Sequence, residues 1–181
     1  MTVHINETEA FQIDPEVNVI GKIQGSRFLE KSLLRGELRY TVYKNGVPIE
    51  KFDDKNLILF GTRIRLAHLI TGDESVFSLA EIFSGLAINK IAIGTNGDIP
   101  TGHDTVIIDP FTKTFERFDY PDIGHARFFW KINEDEANGK AIREFGLLTQ
   151  DNTLFARRFR DKPINKDSDI SIDGEWIIAF G

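Results

Sequence analysis

The sequence predicts a mainly β protein, an antiparallel β-sandwich with one or two helices and an extended N-terminal arm. Three observations lead to it. Near the C-terminus Ile170, Ile172, Trp176, Ile178 and Phe180 share one parity while Asp169, Ser171, Asp173 and Glu175 take the other, the period of a strand buried on one side. Asn45-Gly46, lying between two alternating runs, supplies two adjacent positive-φ positions and with them the strongest short hairpin signal. From Thr112 onward each segment reads as a strand joined to the next by a short turn. A strand with one apolar face cannot bury that face alone, so a second layer must oppose it.

In chain order, residues 1–34 alternate poorly and contain Pro15, Gly21 and Gly25; they read as an extended arm with at most one short strand over 17–23. Such a segment is either a loosely attached terminus or an element that docks on a neighbouring subunit. The domain proper is assigned to 35–181. From Gly36, Leu38, Tyr40 and Val42 alternate with Arg39, Thr41 and Tyr43, and the pattern returns after the turn over 47–52. After Asp53-Asp54-Lys55-Asn56 the period lengthens. Leu59, Thr62, Leu66, Leu69 and Ile70 lie three or four apart, with Asn56 placed as a cap and Gly72 where a left-handed residue ends a helix, so a helix is expected near 58–71. Gly61 weakens that helix by about 1 kcal/mol relative to alanine, and its first turn therefore competes with an extension of the preceding strand.

A second helix is expected near 75–84, capped by Asp73 or Ser75 and presenting Val76, Leu79, Ala80 and Phe83 on one face. Residues 88–93 form a short apolar strand that runs into Gly94-Thr95-Asn96-Gly97-Asp98, a segment too rich in turn formers to continue it. Beyond the loop come a strand over 112–118, a turn at Tyr120-Pro121-Asp122, and a strand with Ala126, Phe128, Trp130 and Ile132 as its inward row. Asn138-Gly139 turns into a hairpin of 141–149 and 153–159 closed at Asp151-Asn152, and Pro163-Ile164-Asn165-Lys166 links it to the final strand. Gly94 and Gly146 fall in or at the ends of strands, where close approach of another segment is the usual reason for glycine.

Length and composition bound the function. The 181 residues, 41% of them apolar, make about one domain with a real core, and no run is long enough to span a bilayer. A net charge of −6 argues against a nucleic-acid binder that works by neutralising phosphates. With no cysteine there is neither a disulfide framework nor a thiolate metal site, and the N-terminal residues lack a secretion pattern, so the expectation is a protein made in a cytoplasm.

No catalytic, cofactor-binding or metal-binding residue is assigned, and no cofactor is expected. His68 reads as an ordinary helix residue. Asp98, His103, Asp104 and Asp109 are possible oxygen and nitrogen ligands on the long loop, but their spacing fits neither an EF-hand nor a zinc helix. Residues 94–97 lack the Lys-Ser/Thr of a phosphate loop. No nucleophile elbow is present. The acidic pairs Asp53-Asp54 and Glu134-Asp135-Glu136 are expected at turns as solvated charge. Arg157 and Arg158, being consecutive in a strand, must point to opposite faces, one to water and the other to an acid such as Glu144 or to a subunit contact. Fifteen phenylalanines, three tyrosines and two tryptophans, together with arginine, are the composition enriched at buried interfaces, although the core claims most of them.

One resemblance is carried by particular residues. Asn56-Leu57-Ile58, Gly61 with Leu66-Ala67, the run Ile88 to Thr95, Asp104-Thr105 and Pro110-Phe111-Thr112-Lys113 resemble tail proteins encoded among the virion structural genes of tailed phages. So do Arg143 to Leu148, Asp151 to Arg157, Pro163 to Lys166 and the closing Trp176 to Phe180. The likeness covers about Gly36 to Phe180; the arm and the 97–109 loop depart from it. The resemblance implies a structural component of the virion at the tail, baseplate or fibre attachment, forming a homo-oligomer, trimer or ring. Its partners would be other copies of itself and neighbouring virion proteins, with no nucleic acid and no membrane. The alternatives are a capsid decoration or head-fibre protein, and a carbohydrate- or receptor-binding module using an exposed Trp130 or Tyr120; an enzyme is the least favoured class.

Overall fold

The computed structural model describes residues 34–180, so the readings made for the arm, including the short strand at 17–23, lie outside the described residues. In chain order the elements are β1 (Leu34–Lys44), β2 (Val47–Ile58), α1 (Phe60–Thr71), α2 (Leu79–Ser84), β3 (Ile88–Gly94), β4 (Phe111–Thr114), β5 (Arg117–Asp119), β6 (His125–Ile132), β7 (Ala141–Thr149), β8 (Leu154–Asn165) and β9 (Ile170–Phe180). The strands form one antiparallel sheet in the order β4-β3-β7-β8-β2-β1-β9-β6-β5, curled into a half-barrel. The mainly β, antiparallel class is as the sequence indicates.

Two features account for the curl. Most of β2 pairs with β1, but its last residues turn away to pair Leu57 with Arg157 and Ile58 with Ala156 of β8, so one strand carries the hydrogen bonding from one half of the sheet into the other. At the far margins, β4 and β5 are separated only by Phe115 and Glu116. The Phe115 amide donates to the Asn89 carbonyl of β3 at 3.2 Å, and the Glu116 amide to the Phe129 carbonyl of β6 at 3.0 Å. The stretch expected as a single strand over 112–118 is thus bent, each half serving a different margin.

The curl brings the inward rows together in one interior. Leu38, Tyr40 and Val42 of β1, Trp130 and Ile132 of β6 and Ile172, Trp176 and Ile178 of β9 pack with Ile91 and Ile93 of β3, Phe145 and Leu147 of β7 and Phe155 of β8. Tyr40 lies at its centre, stacked on Phe52 and Phe145 with ring centroids 4.7 and 4.8 Å apart. The apolar row of β9 is interrupted at Gly174 for a steric reason: its cross-strand neighbour Trp130 lies over it, and a Cβ there would come within 2.3 Å of the indole.

The helical region departs from the sequence reading in detail. β2 continues through Asp53, Asp54 and Asn56 to Ile58, so Asn56 caps nothing. Its side chain accepts the Trp176 indole N–H at 2.9 Å instead and occupies the space left by Gly36 opposite. Helix α1 begins at Phe60 after Leu59, without a side-chain cap, and ends at Gly72 with the left-handed φ of 66° that the sequence suggests. Helix α2 is capped by Ser78 and not by Asp73 or Ser75: the Ser78 hydroxyl accepts the Glu81 amide while the Glu81 carboxylate returns to the Ser78 amide. Ile82 is the residue of this helix that faces inward, while Leu79 and Phe83, and Val76 ahead of the helix, are exposed. Replacing Ser78 with alanine removes this reciprocal cap, and a loss of about 1 kcal/mol is expected. Faster amide exchange confined to α2 is the measurement that checks it.

In the C-terminal hairpin, Asn152 takes the positive φ of the turn (65°), and β8 runs on to Asn165. Residues 163–165, read from sequence as a linker, belong to the strand because Ile164 and Asn165 still pair with Ile142 and Ala141.

Candidate functional site

The longest loop, between β3 and β4, is fixed to the outer face of the sheet by a buried ion pair. Glu144 of β7 is fully buried, and its carboxylate accepts the Arg157 Nε–H at 2.7 Å and the backbone amides of Ile108 at 2.8 Å and Asn96 at 3.1 Å. A buried carboxylate is tolerated only when its lone pairs are filled and its charge is met, and three donors do both. Arg157, itself 2% exposed, reaches Asp104 on the loop through Nη1 at 2.7 Å. The two arginines do face opposite sides, as strand parity requires; of the alternatives it leaves open, Arg157 takes the pairing with Glu144, and Arg158 points the other way toward Asp54.

Glycines let the loop approach. A Cβ on Gly94 would lie 2.5 Å from the Ile108 carbonyl oxygen and 2.7 Å from the Glu144 carboxylate, so only a residue without a side chain allows the loop to return there. Gly146 leaves the space that the Ile107 side chain fills, and Ile107 joins Leu59, Ala92, Leu148 and Leu154 in a second, smaller core on the outer face. At the loop's middle the Phe60 amide, at the start of α1, donates to the Gly102 carbonyl at 2.9 Å.

The four potential ligands of this loop do not converge. Asp104 alone turns inward. Asp98 is exposed, His103 sets its ring edge-on to Phe60 with centroids 4.9 Å apart, and Asp109 pairs with Lys140 at 2.6 Å. Among the described residues no three His, Asp or Glu side chains are grouped to hold a metal ion. His68 sits near the end of α1, with Nδ1 3.0 Å from the Asp73 carbonyl oxygen and its ring against Phe77.

Three further polar groups bind parts of the fold together. Where β2 diverges from β8, Arg160 spans the seam, donating to the Tyr40 hydroxyl at 2.9 Å and to Glu50 at 2.9 Å. Burial pushes the Tyr40 hydroxyl up to about 12. Asp53 and Asp54, expected at a turn, lie within β2 and pair with Arg39 and Arg158. Lys166, overlooked in the sequence, is buried and donates to the carbonyls of Glu134 and Asp167 and to Asn138 Oδ1. The acidic triplet at 134–136 was the available signal for it, and Glu136 of that triplet also pairs with Lys113 at 2.7 Å.

The acids that fasten loops are held ionised. Burial alone pushes Asp104 and Asp151 up, but hydrogen bonds from Thr101 and Arg157 to the first, and from Thr149, Thr153 and Arg65 to the second, outweigh it and leave both below the usual carboxylate range. Depressed carboxylates stabilise the fold fully above about pH 4 and lose that contribution as pH falls through their folded values. The expected result is a melting temperature that drops steeply below pH 4, with a shallower drop in Asp151→Asn; a melting series from pH 7 to 2 checks both.

The two aromatics named as a possible sugar platform part company. Trp130 is buried in the core at 2% exposure, because its strand parity places it in the inward row, whereas Tyr120 is 74% exposed. Tyr120 belongs to an apolar surface at the end of the curled sheet where β1 starts and β9 finishes. Phe118 and Tyr120 meet with ring centroids 6.0 Å apart, Phe118 leans toward Phe128, and Ile123 at the β5–β6 turn is 94% exposed. Beside them a cavity of about 250 Å³ opens between the sheet and α1, walled by Leu66, Leu69, Ala126, Phe128, Ile178 and Phe180 among others, all of them apolar. Compared with protein-family models, with curated proteins and with solved structures, the chain matches none of them.

Proposed function

We propose that this chain is a structural component of a tailed-phage particle, acting at the tail, baseplate or fibre attachment through contacts with copies of itself and with neighbouring virion proteins. The resemblance of the segments from Gly36 to Phe180 suggests the class. The observation that carries the reading is the exposed apolar surface of Phe118, Tyr120, Ile123 and Phe180 around an open apolar cavity. A surface of that kind marks a contact site for other molecules. Several charged side chains, by contrast, among them Glu144, Arg157, Arg160 and Lys166, fasten loops and seams of the chain itself. In this reading the curled sheet acts as a two-layer sandwich, a stiff block whose ends and loops meet neighbours, and no catalysis is assigned to it.

A capsid decoration or head-fibre role uses the same surfaces on a different lattice. The sugar-binding alternative now rests on Tyr120 alone and is the weaker one. Mass spectrometry of density-purified particles from cells carrying the gene tests the proposal. The chain should be recovered at stoichiometric level, and particles made without the gene should lack a tail-associated density. Intact, infectious particles free of this chain overturn it.

A further inference from the structure

The inward apolar row of β9, and that of β6 beside it, is covered along most of its length by the opposite half of the sheet. At the end where Leu34 pairs with Phe180 the described residues leave a gap in that cover. There Ile178 and Phe180 of β9 and Ala126 and Phe128 of β6 wall a cavity of about 250 Å³ with Leu66 and Leu69 of α1 across from them. With no polar group in its walls, such a cavity offers water no partners and is filled best by an apolar side chain. Next to it stands a side chain of that description. Ile123 projects from the β5–β6 turn with 94% of its surface exposed, and Gly124 beside it accepts the Phe180 amide at 2.8 Å, which fixes the turn against the cavity's rim.

We infer that this end of the sheet is the self-association surface, the Ile123 of one copy entering the apolar cavity of another. Two features favour a second copy as the occupant. Projection and cavity lie side by side on the same chain, the arrangement that lets copies interlock around a rotation axis. Phe118, Tyr120, Ile123 and Phe180 at their observed exposures present on the order of 500 Å² of apolar surface, set against the roughly 800 Å² each partner gives to a stable interface. The inference rests on the assembly proposal and names the surface that assembly uses.

The experiment is a solution mass measurement on the full chain at about 10 μM, by light scattering after gel filtration. The wild type should run as a multiple of 20.6 kDa. Ile123→Asp should weaken self-association at least tenfold with an unchanged circular-dichroism spectrum, since the residue is 94% exposed. Ile49→Asp, equally a loss of an exposed apolar residue but near the opposite end of β2, should leave the mass unaltered. Because the chain has no cysteine, Ile123→Cys and Leu69→Cys variants can be mixed and joined by a short bismaleimide, and a covalent pair should form faster in the mixture than in either alone. A monomeric wild type, or an oligomer indifferent to Ile123→Asp, overturns the inference. Neither result bears on whether the chain is found in particles, which the mass spectrometry decides separately.

Discussion

Arg157→Ala lowers stability by about 3–5 kcal/mol, the usual loss when one partner of a buried pair is removed, and depresses the melting temperature by about 6–20 °C. The size follows from what is left behind. Glu144 stays fully buried with two backbone amides and no counter-charge, and Asp104 loses the guanidinium that holds the loop to the sheet. Thermal melts followed by circular dichroism read the loss. Amide exchange adds a signature that a general destabilisation would not give, because residues 95–108 should become exchangeable before the rest of the domain. The double variant Arg157→Met with Glu144→Gln should recover part of the loss, since the neutral amide removes the stranded charge while its carbonyl oxygen can still accept the Ile108 and Asn96 amides. Equal melting temperatures for the wild type and Arg157→Ala would show that the pair contributes nothing.

Trp130→Ala costs about 3–5 kcal/mol, the range for emptying a tryptophan site in a packed core. Its coupling to Gly174 gives the sharper test. Gly174→Ala in the native background places a methyl against the indole and against the Arg39 carbonyl 2.9 Å away, a penalty of about 1–3 kcal/mol. With the indole gone only the second contact remains, so the same substitution in Trp130→Ala should cost at least about 1 kcal/mol less than in the wild type. Urea midpoints of the four proteins complete the cycle, and additive losses would refute the packing of Trp130 over Gly174.

The parts of this fold that the sequence discloses are those set by strict local rules. The alternation of 170–180 gives the inward row of β9, and Asn45-Gly46 gives the hairpin, with φ of 50° and 76° at the turn. Strand parity puts Arg157 and Arg158 on opposite faces with Glu144 as one possible partner, but it leaves open which of the two takes it. What escaped was set by distant partners. Asn56 has the chemistry of a helix cap, yet Trp176, 120 residues away, claims its side chain for the sheet. Ser78 outcompetes Asp73 and Ser75 because it has Glu81 three residues on, a capping pattern that the sequence itself contains. The bend at Phe115–Glu116 left no local mark, since neither residue is a turn former and only the two margins they serve require it. Among the candidate ligands, chain order alone could not separate Asp104 from Asp98 and Asp109, for its role depends on an arginine 53 residues away.

The adjacency of β1 and β9 also governs how the molecule comes into being. Arg39 and Glu175 face each other across that ladder though 136 residues separate them. Short-range hairpins such as β1 with β2 and β7 with β8 can zip early, but the ladder that unites them must wait for a large ring of chain to close, which is the slow step in β-rich proteins. Until then Leu38, Tyr40 and Val42 have no roof, and the growing chain is sticky. Refolding at high concentration should therefore divert material into aggregates, and dilute, cool conditions should favour recovery of the native form.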